Sequence, residues 1–174
     1  MVKRAIFVGR FQPFHLGHLN AVKEILKIVD ELVLVVGSSQ YSHMLDNPFT
    51  TGERITMIKR ALEEEGIEMS RCWIIPVPDI HVHMAWVAQI VGYSPKFHVV
   101  YTNEPITRRL FFEGGFEVKP VPLHMRNIYS ATKIRKQMVS GEKWMNLVPR
   151  SVAQFIEEIN GVERLRDLSK TDRV

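Results

Sequence analysis

The 174 residues are 45% hydrophobic and carry a formal net charge of +4, from 23 Lys and Arg against 19 Asp and Glu. That length suits a single domain with a real core, and so small a surplus of charge fits anionic small molecules without demanding nucleic acid. One cysteine, Cys72, leaves no internal disulfide, no segment approaches the roughly 20 apolar residues of a membrane span, and the apolar run at 5–8 is too short for a secretory signal core, so the expectation is one cytoplasmic domain over residues 1–174 with no membrane partner.

Residues 5–8, Ala-Ile-Phe-Val, predict the first strand. GRFQPFHLGH follows at 9–18 and leads into a helical pattern over 18–29, where Leu19, Val22, Leu26 and Val29 recur at steps of three and four. Residues 32–36 predict a second strand. A second helix is expected over 51–65, with Ile55, Ile58 and Leu62 on one face and Gly66 at its end. Residues 73–77 form a third apolar run, with Cys72 at its head as a small buried hydrophobe. Then come a helix over 84–91, a strand over 98–101, a helix over 104–112 and a short strand over 116–119 closed by Pro120 and Pro122. Residues 130–139, 151–158 and 161–168 predict C-terminal helices. Strands that are apolar on both faces, alternating with helices, predict an α/β protein with a doubly wound, parallel five-stranded sheet and right-handed crossovers.

Ligands of such sheets bind beyond the carboxyl ends of the strands, where the strand order reverses, and the first strand commonly lies there. Gly9 to His18 occupy that position. Gly9 admits close backbone approach, Pro13 stiffens the turn, and the helix that follows offers unpaired N–H groups to an anion. His15 and His18, three apart, project to one side, and Gly17 between them leaves that face without a side chain for a bulky anion. With Arg10 they make a device for holding phosphate oxygens. As half of a zinc site the two histidines lack nearby Cys, Asp or Glu ligands, so no metal site is assigned to protein residues. His81 and His83, two apart, suit a solvated loop.

A second such device is written at 129–135, Tyr-Ser-Ala-Thr-Lys-Ile-Arg. Ser130 suits the N-cap of a helix, Thr132 adds a hydroxyl, and Arg135 lies one turn along.

GRFQPFHLGH resembles the H-x-G-H signature of the nucleotidyltransferase superfamily, in the wording of its archaeal-type nicotinamide-mononucleotide adenylyltransferases. The stretches at 37–43, 47–54, 129–135 and 160–165, and Asp79-Ile80 with Trp86, are similar to that family in the same order, so the likeness covers nearly the whole chain. It implies a Rossmann-like nucleotidyltransferase fold and the transfer of AMP from ATP to the 5′-phosphate of nicotinamide mononucleotide, giving NAD and pyrophosphate by in-line attack without a covalent intermediate. By the resemblance His15, His18, Arg10 and Arg135 carry the catalysis. Gly9, Phe11, Gly17, Tyr129, Ser130 and Thr132 would hold ATP and its phosphates, and Ser39, Asp79, Ile80, Trp86 and Asn103 the nicotinamide nucleotide. Mg²⁺ would be bound mainly through the phosphates, and the chain would assemble as a homo-oligomer, a hexamer in that family.

Two stretches depart from the family's wording. His83-Met84-Ala85-Trp86 stands where Asn often precedes the apolar pair and Trp, and Thr102-Asn103-Glu104-Pro105 where Ser-Gly-Asn-Pro is usual, so both nicotinamide and nicotinic-acid mononucleotide stay open as acceptors. Other readings are an adenylyl- or cytidylyltransferase for another phosphate acceptor such as phosphopantetheine, a non-catalytic ATP or NAD sensor, and a tRNA-synthetase fragment. Asp79-Ile80 with Trp86 favours the nicotinamide branch over the first. His15, His18 and Arg135, needed only to stabilise a transition state, argue against the second, and the lack of a K-M-S-K-S-like loop against the third.

Overall fold

The computed structural model describes residues 2–122 and 128–170. The chain divides into two compact units, one of Met1–Arg10, Asn20–Gln40 and Glu68–Leu123, the other of Phe11–Leu19, Tyr41–Ile67 and His124–Val174. Helix α1, Leu16–Leu26, contributes residues to both.

The first unit holds the whole sheet: β1 Arg4–Gly9, β2 Glu31–Val36, β3 Cys72–Pro76, β4 Val99–Tyr101 and β5 Glu117–Lys119. Its order is β3-β2-β1-β4-β5 and every pair is parallel, so the strand order reverses between β1 and β4. The expected doubly wound architecture is therefore present, with β1 at the centre. Ile6 lies beside Val33 and Val100, and this face packs on Val87 and Ile90 of α3, His83–Tyr93, and on Phe111 of α4, Pro105–Glu113. Ala5, Phe7, Leu32 and Leu34, offset by one position, are buried as well, which is why β1 and β2 read as unbroken apolar runs. Each of the larger side chains, Phe7, Leu32 and Leu34, contributes roughly 1.5–3 kcal/mol on leaving water. The Arg71 guanidinium closes the end of α1, donating to the carbonyls of Leu26, Val29 and Asp30 at 2.8–2.9 Å.

β3 is an edge strand, and this changes two side chains. Trp73 is exposed, its indole N–H donating to the Glu31 carboxylate (2.8 Å) that Arg4 also grips. Cys72, expected to be fully buried, is half-buried, and that burial pushes its thiol up to about 11 against the pull of Arg71.

The second unit is helical: α2 Thr51–Glu64, α5 Ala131–Ser140, α6 Arg150–Glu158 and α7 Gly161–Ser169. Thr50 and Glu53 form a capping box at the start of α2. The same Glu53 carboxylate takes a forked pair of bonds from Arg164 of α7 at 2.7 and 2.8 Å. Burial pushes Glu53 up, but the Arg164 guanidinium and the Thr50 N–H outweigh it and hold the carboxyl below its ordinary value. Asn160 precedes α7 in the left-handed region, φ 52°, and a Cβ on Gly161 would stand 2.9 Å from the Phe49 ring.

Most element ends lie within two residues of the expected ones. Helix α1 starts earlier than the expected position 18, because the His15 carbonyl already accepts the Leu19 N–H. Two 3₁₀ turns, Met69–Arg71 and Met145–Leu147, have no periodicity to announce them.

Candidate active site

On the first unit a cavity of about 480 Å³ opens at the carboxyl ends of β1, β2 and β4, at the reversal of strand order. Gly9 and Arg10 line it from the end of β1, and Gly37 and Ser38 from the end of β2. Asp79 and Ile80 line it beyond β3, His83 and Trp86 from the start of α3, and Thr102 and Glu104 beyond β4. Gly9 and Arg10, expected at the phosphates, and Asp79, Ile80 and Trp86, expected at the nicotinamide nucleotide, thus line one cavity.

Asp79 is held in place. The Ser38 N–H and hydroxyl donate to its carboxylate at 3.2 and 2.7 Å, while its own N–H and carbonyl bond the Gln40 side chain. Ser38 can reach it because it takes the left-handed conformation, φ 51°. Trp86 is half-buried, packs edge-on against Phe111 at 6.2 Å, and has its indole N–H buried without a partner among the described residues. It is at once a core residue and a cavity wall.

Two expected residues lie elsewhere. Ser39 does not line the cavity. Its N–H donates to the Val77 carbonyl at 3.2 Å, and its neighbour Ser38 takes the lining position. The Asn103 amide is occupied on both sides by the Val121 backbone, at 3.1 and 3.2 Å, so it pins the segment after β4 while Thr102 and Glu104 face the cavity. Alternation in an extended segment is the only sequence signal for this, and a shift of one residue inverts it.

On the second unit the two imidazoles stack, with ring centres 3.5 Å apart and planes 17° from parallel. Each is oriented by the other's backbone: the His15 N–H donates to His18 Nδ1 (3.3 Å) and the His18 N–H to His15 Nδ1 (3.2 Å). A ring whose Nδ1 accepts a hydrogen bond carries its proton on Nε2, so both histidines are set as Nε2–H donors. Burial lowers His15 to about 4, and burial together with its neighbour lowers His18 well below its ordinary value. Both rings are neutral at pH 7. Phe11, in the left-handed region at φ 53°, sets its ring edge-on to His18 at 4.9 Å, and Phe14 flanks His18 at 5.5 Å. Phe11 thus packs against the imidazole and restricts its orientation.

Gly17 is required for a different reason from the one expected. A Cβ there would stand 2.9 Å from the Cβ of Tyr129 and 3.0 Å from the His15 ring, so the space beside the glycine is filled by those side chains. Ser130 occupies the N-cap of α5 but makes no capping bond with its side chain, and Thr132 is exposed on the first turn. Arg135 is buried. Its guanidinium donates to the Gln12 carbonyl and to the exposed Asp46 carboxylate, both at 2.9 Å. Nothing in the spacing of the sequence links Asp46 to Arg135.

Among the described residues no three His, Cys, Asp or Glu side chains gather as a metal cage. The donor set of both units is one of imidazole, guanidinium and helix-start amides, suited to phosphate oxygens.

Residues 6–137 match the cytidylyltransferase-like family. Two archaeal nicotinamide-nucleotide adenylyltransferases are similar over nearly full length. That of Archaeoglobus fulgidus is 51% identical over 172 residues, covering 97% of this chain and 99% of its own, and that of Ignicoccus hospitalis is 53% identical over 170 residues, with the same coverage. The chain belongs to the cytidylyltransferase-like family, and within it to the group of these archaeal adenylyltransferases.

Among solved structures, the bifunctional NMN adenylyltransferase/ADP ribose pyrophosphatase of Francisella tularensis, complexed with AMP and a manganese ion, superposes with a TM-score of 0.79 at 22% identity. The match takes in 97% of this chain and 52% of that one, so the chain spans about half the length of the bifunctional enzyme. At that identity the likeness speaks for the fold, and it agrees with the five-stranded parallel order seen here.

Proposed function

We propose that this chain is a nicotinamide-mononucleotide adenylyltransferase. An oxygen of the mononucleotide's 5′-phosphate attacks the α-phosphorus of ATP in line. A new P–O bond forms, the bond to the β-phosphate breaks, and pyrophosphate leaves with the electron pair. The attacking group is already anionic, so no general base is required and catalysis consists of positioning and charge stabilisation.

The observation that carries this reading is the reciprocal orientation of His15 and His18, which sets two neutral Nε2–H donors at the start of α1. In the proposal these donate to the phosphoryl oxygens as charge builds on them. Arg10 and Arg135 neutralise the phosphates, with Asp46 holding Arg135 until a phosphate takes its place. Gly9 and Gly17 shape the backbone, and Tyr129, Ser130 and Thr132 bring the start of α5 to the phosphates. Asp79, Ile80 and Trp86 bind the nicotinamide nucleotide, joined by Ser38; Ser39 and Asn103 act by holding the segments beside it.

A divalent ion fits this donor set if it is carried by the phosphates, and we assign it as Mg²⁺, which would neutralise part of their charge when bound. The proposal treats the two units as one nucleotidyltransferase over residues 1–174, working in the cytoplasm as a homo-oligomer.

The test is product formation. Purified protein, ATP, Mg²⁺ and nicotinamide mononucleotide are expected to yield NAD and pyrophosphate. The absence of dinucleotide with either pyridine mononucleotide would remove the reading, and turnover with CTP in place of ATP would move the chain to the cytidylyl branch.

A further inference from the structure

The segment after β4 departs from the family's wording at Glu104, and the fold gives that departure a location. Glu104 lines the same cavity as Ile80 and Trp86. We propose that Glu104 is a specificity residue, a fixed anion that makes the enzyme select the uncharged carboxamide of nicotinamide mononucleotide over the carboxylate of nicotinic-acid mononucleotide. The inference rests on the reading of this cavity as the site of the pyridine nucleotide.

One contact holds the carboxylate and two hold the backbone that carries it. Glu104 is the N-cap of α4, and its Oε2 accepts the Thr107 N–H at 2.6 Å. Its own N–H donates to the Thr102 hydroxyl at 3.1 Å. Asn103 between them is locked onto the Val121 backbone. The group is therefore preorganised, and a ligand meets it where it stands. Burial pushes its carboxyl up, but the amide donors at the start of α4 outweigh this and hold it below its ordinary value, so it is charged at neutral pH.

A carboxylate brought beside a fixed carboxylate is disfavoured, whereas a carboxamide offers an N–H₂ donor to the same oxygens. The other charges lining the cavity are Asp79 and Arg10, and the His83 side chain lies on the same wall. Asp79 carries the same sign as Glu104 and is already bonded to Ser38. Arg10 carries the opposite sign and would draw the nicotinate in, so the acceptor ratio reports which of them dominates. Glu104 is exposed, so the preference is open to screening and shrinks with salt.

The experiment compares kcat/KM for the two mononucleotides in three proteins: the native chain, Glu104→Asp and Glu104→Asn. Asp and Asn both cap helices well, so both variants keep the start of α4 while only one keeps the charge. The expected native preference for the amide is about tenfold, retained in Glu104→Asp and reduced to within about twofold in Glu104→Asn, mainly through a lower KM for the nicotinate. The native ratio is expected to fall between low and high salt, and the Asn ratio to stay flat. Equal ratios in all three proteins would make Glu104 a helix cap and nothing more, and a native preference for the nicotinate would likewise overturn the inference. Both of those outcomes leave the adenylyltransferase reading standing. Absence of dinucleotide from both acceptors overturns that reading and this inference with it.

Discussion

The imidazoles of His15 and His18 differ from ordinary surface histidines in having no choice of tautomer. Each Nδ1 is committed to a backbone N–H of the same short turn, so the proton is directed to Nε2 by the fold itself. Neutrality matters as much as direction. A pair of stacked imidazolium rings would repel at 3.5 Å, whereas neutral rings stack and still donate. Replacing His18 by Ala removes one donor and the ring that orients the His15 N–H. Turnover is expected to fall on the order of 10²–10³-fold while the circular dichroism spectrum is kept; near-normal turnover would contradict its role.

Among the elements, α7 shows how a stretch recognised by wording serves the architecture. Asn160-Gly161 with Arg164 resembles a family signature, and in the structure all three are structural. Asn160 turns the chain in the left-handed region, Gly161 lies against Phe49 and Ile156, and Arg164 bonds Glu53 and the Pro48 carbonyl. Glu53 in turn completes the cap of α2, so one carboxylate ties two helix starts together. Alanine ordinarily favours a helix over glycine, but here its Cβ would stand 2.9 Å from the Phe49 ring and 3.1 Å from the Ile156 carbonyl. Gly161→Ala is expected to lower the stability measured by urea unfolding by about 1–3 kcal/mol, and a gain in stability would show that this contact yields easily.

For the whole molecule, acid stability follows from the buried histidine. His15 has an ordinary value of 6.5 and is lowered to about 4 in the fold, so between those pH values the unfolded chain binds a proton that the folded chain refuses. Stability is full above pH 6.5 and falls as pH drops towards 4, by on the order of 3 kcal/mol from this group alone. Urea midpoints measured at pH 7 and pH 5 are expected to show the loss, and His15→Asn to reduce it, the buried His18 ring carrying the remainder. An unchanged slope in that variant would put the titration elsewhere. Legibility also varied with scale. Nearly every strand and helix was readable, because strands covered on both faces leave continuous apolar runs and the helices keep their three- and four-residue steps. Arg10, His15, His18 and Arg135, on which the proposed phosphate site rests, stood out because their residue types are rare together. What escaped was contact made across the chain. The exchange of Ser39 for Ser38 depends on one backbone angle, the closing of Asn103 on Val121 joins segments 18 residues apart, and the pairing of Arg135 with Asp46 joins segments 89 apart. Gly17 was rightly singled out for lacking a side chain, but its neighbours in space, not an empty face, are what demand it.

The edge position of β3 has a practical use. With burial raising its thiol to about 11, Cys72 is held mainly as the thiol at pH 7 and is a slow nucleophile. A cysteine introduced on the cavity rim or at the start of α5 is therefore expected to take a maleimide fluorophore faster than the native sulfur does. The chain is in effect already prepared for single-site spectroscopy of nucleotide binding.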